Sequence, residues 1–121
     1  MLALSVGVAG GIGSIARYLI DGTVQDRTSG ILPFGTLTVN VIGSFVMGFL
    51  VGLVLFHDIA DLPRTVLGTG FCGGLTTWST ASWETLRLVE EGSPRAAFLN
   101  AVGGMAASLA AAGCGLLLAF L

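Results

Sequence analysis

Between residues 70 and 84 the chain reads Gly70-Phe-Cys-Gly-Gly-Leu-Thr-Thr-Trp-Ser-Thr-Ala-Ser-Trp-Glu84, and five hydroxyls (Thr76, Thr77, Ser79, Thr80 and Ser82) fall within seven positions. The stretch lies inside an apolar segment long enough to cross a bilayer, yet Gly70, Gly73 and Gly74 favour non-helical backbone there. In hydrocarbon, irregular backbone is tolerated only where protein buries it or a watery cavity meets it. Freed carbonyls can hold a cation, and hydroxyls with freed amides can meet an anion. The hydroxyl cluster is therefore read as an ion site at a helix break between residues 73 and 77. Asn40, Asn100 and Ser108 are the other polar side chains set deep in apolar segments.

The elements that must position these groups follow from composition. Hydrophobic residues make up 54% of the 121 and charged residues only 10%, against about 25% charged in a soluble domain. One all-α membrane domain is predicted, with four transmembrane helices over about 2–20, 33–56, 63–89 and 94–121 and the third broken mid-membrane. No basic residue precedes the apolar run Leu2 to Ala16, so it is read as a span rather than a cleaved signal. Small residues recur four apart at Gly7/Gly11, Gly10/Ser14 and Gly48/Gly52, the spacing that lets helix backbones approach in lipid. Residues 21–32 are read as a polar turn. Pro33 and Pro94 stand at first-turn positions, with Ser93 as an N-cap.

Other chemistries are weaker. His57 stands with Asp58 and Asp61 in a short loop, a thin metal set best read as solvated. Cys72 and Cys114 lie in apolar segments and read as buried thiols. A net charge of −2 with no lysine argues against nucleic acid. No Ser/His or Cys/His pairing speaks for an enzyme. No Asp, Glu or Lys lies mid-span, which disfavours a proton-coupled exporter. Arg17, beside Tyr18, is either an interfacial anchor or a positive charge at the mouth of an anion path. Glu84 is either a solvated interfacial carboxylate or a partner for an arginine. Asn40 is either interhelical glue or a donor lining a pathway. Asn100, Gly104 and Ser108 share one face of the last helix. Neutral donors beside aromatic edges suit a small anion.

Three stretches carry a family resemblance: Gly10-Gly-Ile-Gly-Ser-Ile-Ala-Arg17-Tyr18, Gly35-Thr-Leu-Thr-Val-Asn40-Val-Ile-Gly43-Ser-Phe-Val-Met-Gly48, and Gly70-Phe-Cys-Gly-Gly-Leu-Thr-Thr-Trp-Ser-Thr80. Together they resemble the signatures of the small bacterial fluoride channels, the Fluc (CrcB) family. The resemblance implies an antiparallel dimer of four-helix subunits in the bacterial inner membrane, with passive fluoride efflux that protects the cytoplasm. It also implies a structural, untransported Na⁺ at the dimer centre, held by backbone carbonyls that fall here on Gly73 and Thr76. The anion pathway would fall on Asn40, Thr77, Trp78, Ser79, Thr80, Asn100 and Ser108. Arg17 and Glu84 would serve a vestibule or interface. In the family the third motif continues Thr-Thr-Phe-Ser-Thr-Phe. Here its two aromatic positions are Trp78 and Ala81, so the second ring is absent.

The partners expected are fluoride, lipid and an oppositely oriented second subunit. Arg17, Arg27, Arg87 and Arg95 fall on one side of the predicted topology and Arg64 on the other. Positive charge sets orientation, so this bias favours both termini outside. With the lost ring at Ala81, it favours a paralogue as the second subunit over a dual-topology homodimer. The alternatives are an accessory, non-conducting subunit of a heterodimeric channel, and a small multidrug exporter.

Overall fold

The computed structural model describes residues 1–121 and is helical throughout, without a strand. Helix α1 spans Leu2–Arg27 and α2 spans Phe34–His57. Helix α3 covers residues 61–75, opening at Asp61–Pro63 and passing through a π-helical stretch, Arg64–Cys72, to Gly73–Leu75. After two extended residues α4 spans Trp78–Glu90. Helix α5, Pro94–Phe120, contains a π-helical turn at Leu99–Gly103. Three of these, α1, α2 and α5, are long and apolar enough to cross a membrane. The 13 residues of α4 reach only about 20 Å, short of the roughly 30 Å hydrocarbon layer.

Three boundaries differ from expectation. Helix α1 runs seven residues past Ile20 into the predicted polar turn, because Thr28, not Gly22, stops it, turning extended with its hydroxyl on the Val24 carbonyl. Pro33 caps α2 from outside rather than opening its first turn. His57 is the last residue of α2, not a loop residue, and its Nε2–H donates to the Ala119 carbonyl at 2.6 Å, tying α2 to the end of α5. Phe56 and Phe120 stack edge-on beside that bond, 5.2 Å apart. Helix α3 starts as its acidic first residue implies. Arg64 Nε donates to Asp61 Oδ1 at 2.6 Å and holds that carboxyl below the ordinary carboxylate range. A depressed acid stabilises the fold above its unfolded value and loses that contribution as pH falls through the lowered one. Exposure on both sides keeps the effect small.

Close backbone approach organises the rest. On α2 and α5, a Cβ at Gly48 would meet the Ala112 main chain, one at Gly52 the Ala119 side chain, and one at Gly115 the Phe45 carbonyl. On α1 and α3, a Cβ at Gly13 would meet the Phe71 carbonyl and one at Gly74 the Gly10 carbonyl. The Gly48/Gly52 and Gly10/Ser14 spacings thus mark real seams, whereas Gly7, Gly11 and Gly103 face open space. Cys72 is buried, but Cys114 is exposed, contrary to the sequence reading. Adding a methyl to a filled seam costs about 1–3 kcal/mol. Gly115→Val should sit at the top of that range, since the Phe45 carbonyl cannot swing away. Gly113→Ala, in open space, should change the thermal midpoint little. Unfolding of the two variants in one detergent compares them directly.

Candidate functional site

The interruption between α3 and α4 consists of Thr76 (φ −81°, ψ 159°) and Thr77 (φ −150°, ψ 122°). The expected glycines do not make it. Gly70 and Gly74 lie within helix, Gly73 has φ −63° and ψ −36°, and their value is close packing at Gly70 and Gly74. Threonine does the interrupting because its hydroxyl competes for main-chain groups. The Thr76 N–H and Oγ1–H both donate to the Cys72 carbonyl at 2.9 Å, closing the last turn of α3. Thr77 is the N-cap of α4: its Oγ1 accepts the Thr80 N–H at 3.2 Å and bonds to the Thr80 hydroxyl at 3.0 Å.

Neighbouring helices hold the two interrupting peptides. From α2, Asn40 Oδ1 accepts the Thr77 N–H at 2.7 Å and Asn40 Nδ2 donates to the Thr77 carbonyl at 3.0 Å. From α1, Arg17 donates to the Thr76 carbonyl at 3.3 Å and Ser14 to the Gly74 carbonyl at 3.5 Å. Asn40 therefore acts as interhelical glue while also lining the groove described next. The half-buried Arg17 guanidinium turns one donor inward to a main-chain oxygen.

A groove of about 560 Å³ runs between α2, α4 and α5. Asn40, Thr76, Thr77, Trp78, Asn100 and Ser108 line it together; Ser79 and Thr80 do not, and neither do Gly73, Arg17 and Glu84. The sequence reading missed Thr36, Ser44 and Thr85. A signal was present for the first two, since Thr36, Asn40 and Ser44 stand four apart on α2, as Asn100, Gly104 and Ser108 do on α5. Across the groove Asn100 Nδ2 donates to Thr85 Oγ1 at 2.8 Å and to the Ala81 carbonyl at 3.3 Å, so the π-helical turn that carries Asn100 meets α4. Trp78 is 79% exposed and turns most of its ring outward.

Glu84 stands at the edge of this region and is not a solvated carboxylate. The Thr36 hydroxyl donates to its Oε1 at 2.9 Å, and its buried Oε2 has no partner. No arginine lies within ion-pair distance of Glu84; Arg87 lies 5.4 Å over the Trp83 ring and 3.7 Å from Glu91.

The lining thus offers hydroxyls, carboxamides and peptide groups but no Asp, Glu, His, Lys or Arg. A groove without charged residues, largely apolar but set with hydroxyls and carboxamides, among helices long and apolar enough to span marks a small multi-pass membrane protein. Residues 4–116 match the family model described as CrcB-like protein, Camphor Resistance (CrcB), and the chain belongs to that family. It is 47% identical over 116 residues, 96% of this chain and 85% of the relative, to a Leifsonia xyli subsp. xyli protein named fluoride-specific ion channel FluC 1. A Methanocaldococcus jannaschii protein named fluoride-specific ion channel FluC is 52% identical over 97 residues, 80% of this chain and 77% of the relative. A Pyrococcus abyssi protein of the same name is 42% identical over 113 residues, 93% of this chain and 90% of the relative.

The cap on α4 can be tested by itself. Thr77→Ser keeps the oxygen that accepts Thr80 N–H and should hold the thermal midpoint. Thr77→Val keeps the shape and loses the acceptor, and should lower stability by about 1 kcal/mol.

Proposed function

We propose that the chain is a channel subunit through which fluoride leaves the cell passively. The observation that carries this reading is the uncharged donor groove, in a chain whose relatives at 47% and 52% identity are named fluoride-specific ion channels. Hydroxyl and carboxamide hydrogens replace the water a small anion sheds, and the absence of a titrating group from the lining suits passive flux. Asn40, Thr77, Trp78, Asn100 and Ser108 form the pathway in this reading, with Ser79 and Thr80 ordering its α4 end. Family membership speaks against a small multidrug exporter, and the reading is of a channel, not an enzyme.

The break lies mid-membrane in this reading, and a second subunit in the opposite orientation completes the pathway. A groove of about 560 Å³ exceeds what one ion needs, a water molecule occupying roughly 30 Å³. Ala81 leaves part of that space unfilled, which supports a partner that contributes side chains; the arginine bias supports a paralogue as that partner. A non-conducting accessory subunit is the second reading, favoured by the same unfilled space.

The structural Na⁺ of the family can be weighed against the donors present. Thr77 N–H, which would close a turn on the Gly73 carbonyl, goes to Asn40 instead, so that oxygen lacks its helical donor on an exposed face. The Thr76 carbonyl already accepts from Arg17 but keeps a second lone pair. Main-chain oxygens are the hard donors such a cation takes, so Gly73 and Thr76 fit it. Two oxygens are too few, and a second subunit would have to supply the rest. The bound cation would fasten two subunits.

Reconstituted protein, with an oppositely oriented paralogue where needed, should release fluoride from chloride-free liposomes without a proton gradient. Chloride flux of equal size would overturn the reading. Gly73→Val separates fold from assembly. With ordinary helical angles and only an ordinary 4.0 Å contact to the Gly68 carbonyl at a new Cβ, the variant should unfold near the wild-type temperature as a single subunit, yet lose association and fluoride flux. Normal association and flux would remove Gly73 from any ion or subunit contact.

A further inference from the structure

We propose that Asn40 holds the interruption between α3 and α4 open by standing in for a helix at the Thr77 peptide. A peptide within a helix has its N–H and C=O satisfied four residues away in each direction. At Thr77 one side chain from α2 supplies both partners, accepting the N–H at 2.7 Å and donating to the carbonyl at 3.0 Å. A carboxamide accepts and donates side by side in this way without a change of protonation. Thr77 is only 8% exposed, and a buried peptide group left unpaired is costly.

The consequence reaches past Thr77. The N–H that Asn40 takes is the one that would otherwise close a helical turn on the Gly73 carbonyl. Asn40 thereby leaves that oxygen without a helical donor, although the two residues are on different helices. The Thr76 peptide is held from the other side, where Arg17 on α1 donates to its carbonyl at 3.3 Å. The peptide unit made of the Thr76 carbonyl and the Thr77 N–H is thus pinned between α1 and α2, and Asn40 alone holds the next unit by its Thr77 carbonyl. Asn40 keeps one Nδ2 hydrogen for the groove, but its fixed task is positional: it sets the start of α4, whose cap and first turn carry Thr77, Trp78 and Thr80. The link from this task to ion movement rests on the channel reading, whereas the clamp itself does not.

The first test is amide hydrogen exchange on the full chain in nanodiscs, wild type against Asn40→Leu. The Thr77 N–H should exchange at least tenfold faster in the variant, while the Thr76 N–H, bonded to Cys72 within α3, should change less than twofold. Unchanged Thr77 exchange would overturn the clamp. Asn40→Ala, too short to reach either Thr77 group, serves where leucine prevents folding; Thr77 should again exchange faster, and unchanged exchange would again count against the clamp. The second test replaces the Thr77 amide by an ester, which deletes its N–H and weakens the Thr76 carbonyl as an acceptor for Arg17. Ester and Asn40→Leu should each reduce fluoride efflux, and the double variant should be no worse than the ester alone. Additive losses would mean that Asn40 acts on the anion independently of Thr77. If wild-type protein passes no fluoride but the exchange result holds, the channel reading fails and the clamp stands.

Discussion

Everything in this fold depends on pairing main-chain groups where water is scarce. Most of the chain meets that demand with α-helix, but Thr76 and Thr77 leave it, and side chains in and around the interruption answer for the freed groups there. Ser14 and Arg17 come from α1, Asn40 from α2, and the Thr77 hydroxyl caps the helix that follows. Helices α1 and α2 must therefore stand on either side of the interruption within hydrogen-bond reach. Residues without Cβ atoms make that distance attainable: Gly10, Gly13 and Gly74 let α1 and α3 touch by main chain, and Gly43 admits the Thr76 side chain against α2. Packing and polar satisfaction are one constraint seen from two sides.

The division of labour among glycines was half legible in the sequence. Spacing at Gly48/Gly52 and Gly10/Ser14 identified contact seams, because small residues one helical turn apart have few other uses in an apolar span. The same reasoning misassigned Gly70, Gly73 and Gly74 to irregular backbone. Glycine permits unusual dihedrals but does not impose them, and a neighbouring backbone can need the space just as much. The hydroxyl run after Leu75 was the better sign of the interruption, since a threonine can both end one helix and cap the next.

Of the site, the reading of polar residues in apolar segments found Asn40, Asn100 and Ser108 because an amide or hydroxyl there must face protein or water. It passed over Thr36, Ser44 and Thr85, which helical sequences often hide by back-bonding to their own carbonyls. Only the fold shows that Thr36 spends its hydrogen on Glu84 and that Thr85 serves Asn100. Nor could any linear pattern reveal that His57 reaches Ala119, a contact across 62 positions made where two helix ends coincide.

Charge placement around the groove follows from the same economy of donors. A lysine or arginine in the lining would hold a small anion by a full charge, and tight binding slows release. Here Arg17 is close to the interruption but spends a donor on the Thr76 carbonyl, and it does not line the groove. Its positive field reaches the groove without offering a ligand there. Glu84 is likewise outside the lining, with one oxygen on Thr36 and the other buried. Along the lining the hydrogens of Thr77 and Asn100 are spent on Asn40, Thr80, Thr85 and the Ala81 carbonyl, which leaves one Nδ2 hydrogen of Asn40 and the Ser108 hydroxyl among those still to offer. In the channel reading, an uncharged lining with the Arg17 guanidinium nearby attracts an anion without trapping it, because the charge acts from the Thr76 carbonyl rather than as a ligand in the groove.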